Sequence, residues 1–137
     1  KGAGMLFNLA LDRIHEMGKA PGEEYIENTV IDPDTFFDNL IGVTKNINDK
    51  AHRVRFWAAP AQVPYIETKP LHKSQFVVQR NEDGSAIFQM EVVLNYELEK
   101  DLLGFGEGVR VLSPRLLVHN MSKRLTRRQG TINEYKL

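Results

Sequence analysis

Cysteine is absent from all 137 residues. That excludes disulfides, thiolate catalysis and Cys-based zinc or iron–sulfur sites, and it fits a reducing compartment. No apolar run approaches the ~18 residues of a membrane-crossing helix. No basic region followed by an apolar stretch and a small-residue cleavage site opens the chain, so the expected setting is cytoplasmic. Net charge is missing too, since 18 Lys and Arg balance 18 Asp and Glu. A neutral total argues against a dedicated nucleic-acid binder. The length suits one domain, or a small domain plus a piece of another, with room for a core that needs no covalent staple.

The neutral sum hides a gradient. Residues 1–51 carry nine Asp/Glu and five Lys/Arg, whereas residues 109–137 carry seven Lys/Arg and one Glu. The basic stretch "KRLTRRQ" (Lys123–Gln129) offers phosphate contacts. The plainer alternative is a solvated helix face with cations near its C-terminal end, where the helix dipole favours them.

Hydrophobic periodicity places the elements. "MLFNLALDRI" (Met5–Ile14) alternates Leu6, Asn8, Ala10 and Asp12 against Phe7, Leu9 and Leu11, with Arg13 on the second face, as a half-buried strand does. A lone strand cannot bury itself, so this one needs partners elsewhere. The Gly- and carboxylate-rich "GKAPGEEYIENTVI" reads as a connector. A short helix is expected over 33–41, capped by Asp32, opened by Pro33 and stopped by Gly42, with Phe36, Phe37, Leu40 and Ile41 as its apolar stripe.

From residue 52 the pattern becomes regular. "HRVRFWAA" is a strand with Val54, Phe56 and Ala58 on one face and Arg53, Arg55 and Trp57 on the other. "PAQVPYIETK" is a short helix that Pro64 either distorts or delays by a turn, with Val63 and Ile66 inward. "QFVVQR" and "AIFQMEVVL" are strands, and Asp83-Gly84 between them signals a type I′ hairpin. "NYELEKDLLG" is a helix capped by Asn95, "GEGVRVLS" holds a last strand, and "PRLLVHNMSKRLTRRQ" is a final helix with Leu117, Val118, Met121 and Leu125 as its stripe. The order βαββαβ plus a helix predicts an α+β, ferredoxin-like sandwich with helices on one face of one sheet.

Motifs for catalysis or metal binding are weak. The histidines, at 15, 52, 72 and 119, form no pair at helical ligand spacing, and "HEMGK" puts Lys19 where a zinc-binding H-E-x-x-H needs its second His. "GFGEGV" follows a helix and precedes a strand, the reverse of a dinucleotide-binding turn. "KPLHKSQFVV" sets His72 two residues from Ser74, but adjacency is not triad geometry, and no G-x-S-x-G elbow occurs. His72, Ser74 and Gln75 read instead as a joint between helix and strand, where Pro70 stops the helix and polar side chains satisfy loose backbone groups.

The stronger candidate is the sheet face that the helices leave uncovered. Arg53, Arg55 and Trp57 fall there beside Gln89 and Glu91, with Arg110 nearby on the last strand. Cationic, aromatic open sheets stack bases in RNA-recognition folds. Alternatively the face is solvated, with Arg55 paired to Glu91, or is covered by a second sheet or a dimer partner.

In order and spacing these pieces resemble a known family. "NLALDRI" resembles the closing strand of the WYL domain, an SH3/Sm-like barrel of bacterial transcriptional regulators. "FFDNLIGV", "VRFWAAPAQVPYIETKPLHKSQ" and "DGSAIFQMEVVLNYELEKDLLGFGEGVRVLSP" resemble the C-terminal extension that follows it, in which a His-x-Ser-Gln junction recurs. The resemblance implies a division into residues 1–17, the last WYL strand; 18–50, an acidic connector; and 51–137, the extension domain. It implies a regulatory, non-catalytic region that senses an effector or holds a dimer, with no cofactor or metal. Its expected partners are a second copy and a nucleotide or single-stranded nucleic-acid effector. Duplex DNA is expected only through a helix-turn-helix, which is not in this chain, and no membrane is involved. Arg13 is the effector residue carried over by the resemblance, a structural ion pair with Asp12 being the alternative.

Overall fold

A computed structural model describes residues 6–134. Four strands, β1 (Ala51–Ala58), β2 (Phe76–Arg80), β3 (Ala86–Val93) and β4 (Val109–Ser113), form one antiparallel sheet in the order β2-β3-β1-β4. Helices α1 (Val63–Thr68), α2 (Tyr96–Gly104) and α3 (Arg115–Glu134) complete the βαββαβ-plus-helix order of a ferredoxin-like α+β sandwich.

Alternation along the two central strands makes the core. Val54, Phe56 and Ala58 of β1 and Phe88, Met90 and Val92 of β3 are essentially inaccessible to solvent. The register sets Phe56 opposite Phe88, and their rings stack 5.4 Å apart at 14°. Val63 and Ile66 of α1, Leu98 and Leu102 of α2 and Leu117 of α3 close over that face in a single cluster. Pro64 delays α1 by a turn: the helix begins at Val63 and places the proline in its first turn, where no N–H is needed. Asn95 caps α2, its side chain accepting a hydrogen bond from Leu98 N–H at 2.9 Å.

Several local expectations are corrected. Residues 6–14 form no strand; they carry only a 3-10 turn at Leu11–Arg13, and Phe7, Leu9 and Leu11 are exposed. No strand among the described residues lies beside them, and an alternating pattern becomes a strand only where a ladder receives it. Met5, at the head of that pattern, lies outside the described residues. Residues 33–39 make successive turns, not a helix. Asp32 caps them as expected, with Oδ1 accepting from Asp34 N–H and Oδ2 from the Thr35 hydroxyl. Aromatic, Asp and Asn residues are middling helix formers, so one turn does not propagate.

The hairpin turn is not type I′ either, for Asp83 lacks the positive φ that type requires and only Gly84 (φ 85°) has it. Gly84 N–H bonds Asn81 C=O and Asn81 N–H bonds Ser85 C=O, the three-residue loop with a glycine bulge. Hydrogen bonds from the Ser85 hydroxyl and N–H to Asp83 hold this turn and lower the Asp83 pKa.

Candidate functional site

β1 and β3 carry the open face of the sheet. Their register pairs Arg53 with Glu91, Arg55 with Gln89 and Trp57 with Ile87, while β4 sets Arg110 opposite Trp57. The expected Arg55–Glu91 pair is therefore not the one formed. Arg55 Nε donates to Gln89 Oε1 at 2.8 Å, and Glu91 lies 3.8 Å from Arg53 in an exposed ion pair. An exposed pair of that length contributes little stability. The Arg110 guanidinium sits 5.5 Å from the Trp57 ring centroid, a cation–π contact that leaves Trp57 partly buried. Edge strands add Phe76, opposite Gln89, and Leu112, the extra residue in the β4 register shift; both are exposed.

This face thus joins three guanidinium groups, one carboxylate, an indole and a phenyl ring. Arg55 spends one of its five N–H donors on Gln89, so most of its fork remains open to an acceptor. The face is less open than periodicity implied, because Gln89 and Val93 are both buried on it. Phe76 and Leu112 were not among the sequence candidates. Both are edge-strand residues beside bulges, where simple alternation fails.

His72, Ser74 and Gln75 form a joint. His72 Nε2 lies 2.8 Å from Asp38 C=O, which only accepts, so Nε2 carries the proton. Nδ1 then accepts from Ser74 N–H (3.1 Å) and from the Ser74 hydroxyl (2.7 Å), whose oxygen in turn accepts from Glu91 N–H (2.9 Å). Gln75 accepts from Leu71 N–H and donates to Ile66 C=O, closing the end of α1. This is a nucleophile beside a base, but the base is oriented by a backbone carbonyl and the hydroxyl is already engaged by a strand N–H. Triad chemistry needs the opposite: a carboxylate behind the base and an open hydroxyl.

The joint reaches back to the connector, which clasps the sandwich more fully than its sequence implies. Val93 N–H bonds Asn39 C=O (2.9 Å), and Asn95 Nδ2 donates to Ile41 C=O (2.8 Å) and Thr44 C=O (3.1 Å). Glu97 Oε1 accepts from Val43 N–H, Thr44 N–H and the Thr44 hydroxyl. Burial raises the Glu97 pKa, but bonds from the Thr44 hydroxyl and the backbone of Glu97, Val43 and Thr44 outweigh it and hold the carboxyl below its ordinary value. Gly42 (φ 75°) permits this close approach, since a Cβ there would overlap the Glu97 side chain.

Arg13 lies exposed on the Leu11–Arg13 turn and forms no ion pair among the described residues, with Asp12 or any other group. No hydrogen bond or ion pair among the described residues joins it to the sheet face. No cluster of His, Asp and Glu among the described residues could hold a metal ion. No described helix is long and apolar enough to cross a membrane.

A family model, the WCX domain, matches residues 50–127, more than half of the chain. The chain belongs to the WCX domain family. WCX is the extension C-terminal to the WYL domain in WYL-family regulators, in agreement with the resemblance carried by the sequence. The match begins one residue before β1 and ends within α3, so the WCX domain is the ferredoxin-like sandwich itself. The Asp32–Thr44 clasp lies outside the matched span yet is hydrogen-bonded to the domain through Asn95 and Glu97. No curated protein matches the chain.

Proposed function

We propose that this WCX domain is a non-catalytic, effector-sensing part of a DNA-binding transcriptional regulator, and that the open face of β1 and β3 receives the effector. The observation that carries the reading is the grouping of Arg53, Arg55 and Arg110 around Trp57 with a single carboxylate, Glu91, among them. An anionic effector with a flat ring fits such a face: the guanidinium forks take phosphate oxygens and the indole takes the ring. A nucleotide or a short single-stranded nucleic acid has both parts. Its binding biases distant DNA-binding heads only if their two arrangements hold it with different affinity.

Calorimetric titration with a short single-stranded oligonucleotide tests the proposal. Binding is expected to weaken about tenfold or more in Arg55→Glu and Arg110→Glu, and to fall with added salt as counterion release requires. Binding that is equal in both variants, or absent at low salt, contradicts it. A second reading has support from Phe76 and Leu112, whose exposed apolar side chains border the face: a second copy covers it. In that case Arg55→Glu changes the sedimentation coefficient of the chain and no oligonucleotide binds.

A further inference from the structure

Away from the sheet face, two depressions adjoin where α2 and α3 pack. The first is an apolar groove of about 250 Å³ between α2, β4 and α3, walled by Leu102 and Leu103 on one side and by Val118, Met121 and Leu125 on the other. The second is a hollow of about 330 Å³ lined by Tyr96, Lys100, Leu103, Arg124 and Arg128. Leu103 lines both, so one continues into the other. The groove residues Val118, Met121 and Leu125 lead on to Arg128 in steps of three and four along one face of α3. That face thus turns from apolar to cationic toward the end of the helix. Arg110 also borders the groove, but its guanidinium lies over Trp57 and belongs to the sheet face.

The hollow has the make-up of an anion site. Its central cation, Arg124, is fixed before any ligand arrives. Its Nε donates to Glu99, which is buried and also accepts from Asn120 Nδ2 at 3.3 Å. The Tyr96 ring centroid lies 5.1 Å from the same guanidinium. Arg124 spends Nε–H on Glu99 and keeps the rest of its fork for another acceptor. A side chain held in this way has little freedom left to lose on binding. Lys100 and Arg128 are exposed and form no ion pair among the described residues. Asp101, next to Lys100 in sequence, lines a different hollow with Tyr65 and Phe105. Three cations therefore meet one carboxylate, and that carboxylate is already engaged.

We propose that hollow and groove together bind a small organic anion with an apolar chain, of the class of the medium-chain carboxylates. The carboxylate enters the hollow and takes the open side of the Arg124 fork, with Lys100 and Arg128 beside it. The chain passes Leu103 and lies in the groove, where each methylene withdrawn from water adds to affinity. Ligand sites commonly hold roughly 300–1,000 Å³, so a groove at the small end of that range suits a chain of about ten carbons. The site uses none of Arg53, Arg55 and Trp57, and it does not depend on the sheet-face reading.

Calorimetric titration of the chain with decanoate, well below the concentration at which it forms micelles, is the test. One equivalent is expected to bind saturably and to raise the thermal unfolding midpoint, as a ligand of the folded state must. Decanol, which lacks the charge, and acetate, which lacks the chain, are each expected to bind about tenfold or more weakly. Lys100→Glu/Arg128→Glu should weaken decanoate about tenfold or more and leave decanol unchanged, whereas Leu125→Asp should weaken both. Lys100, Arg128 and Leu125 are exposed, so folding is spared. If Leu125→Asp nevertheless disturbs folding, the charge variant reads the same site alone. Arg55→Glu, on the sheet face, should leave decanoate binding as it is. Absence of decanoate binding overturns the proposal, as does decanol binding equally well or decanoate binding indifferent to the charge variant. Uptake of many equivalents with a lowered midpoint, the action of a surfactant, overturns it too. So does binding to anionic lipid vesicles with no response to free decanoate.

Discussion

His72 shows how a reactive pair becomes structural through what surrounds it. The imidazole takes its tautomer from the Asp38 carbonyl, and the Ser74 hydroxyl is fixed between His72 Nδ1 and Glu91 N–H. Removing the ring leaves Asp38 C=O and Ser74 N–H without their partner. These groups are partly open to water, so His72→Ala is expected to lower stability by about 0.5–1.5 kcal/mol, the usual net contribution of such hydrogen bonds. Urea unfolding checks this: the midpoint should fall with an unchanged slope. At Gly42 the positive φ alone makes Gly42→Ala cost about 1–2 kcal/mol, to which the overlap with Glu97 adds. Glu97 itself sets a pH dependence. Its pKa is lowered in the folded chain, so its share of stability is complete above the unfolded value and is lost as pH falls through the lower folded value. Amide exchange of Val43 and Thr44 in acid should rise in the wild type before the sheet amides do. In Glu97→Gln it should already be raised at neutral pH.

At the scale of elements, one residue does two jobs at the start of α2. Asn95 caps the helix with its oxygen and holds the connector with its amide nitrogen. The two roles separate in Asn95→Asp, which keeps the acceptor for Leu98 N–H and loses both donors to Ile41 and Thr44. Asn95→Asp is expected to preserve helix content by circular dichroism and to loosen residues 36–45 in hydrogen exchange. Asn95→Ala should lose both, at a cost of about 2 kcal/mol or more. The cap was legible in the sequence, because capping is local: Asn95 and Leu98 are three residues apart. The clasp was not, because Val43 meets Glu97 across 54 residues and neither position advertises the other. The same contrast explains the turns at 33–39. Asp32 marked where they begin, but whether a turn grows into a helix is decided by packing that no local pattern records.

Across the whole molecule, the sandwich was legible because two periods alternate without conflict. Val54, Phe56 and Ala58 repeat every second residue, and Leu98 and Leu102 recur at helical spacing, so strand and helix separate cleanly. The composition of the sheet face followed from the same alternation, whereas its pairings depended on register. Arg55 meets Gln89, not Glu91, because β1 and β3 align two residues away from the register that would pair it with the carboxylate. The candidate effector surface thus rests on which side chains the sheet brings to one face. Trp57 sits at its centre, under Arg110 and on a central strand, and it is the single tryptophan of the chain. Its fluorescence therefore reports on this face and nowhere else. Titration of the chain with a short single-stranded oligonucleotide at low salt, followed by Trp57 emission, is the most direct measurement. Saturable quenching that salt reverses and that Arg55→Glu weakens about tenfold or more is the expected result; emission that stays unchanged at high oligonucleotide concentration would contradict an effector site on the open sheet.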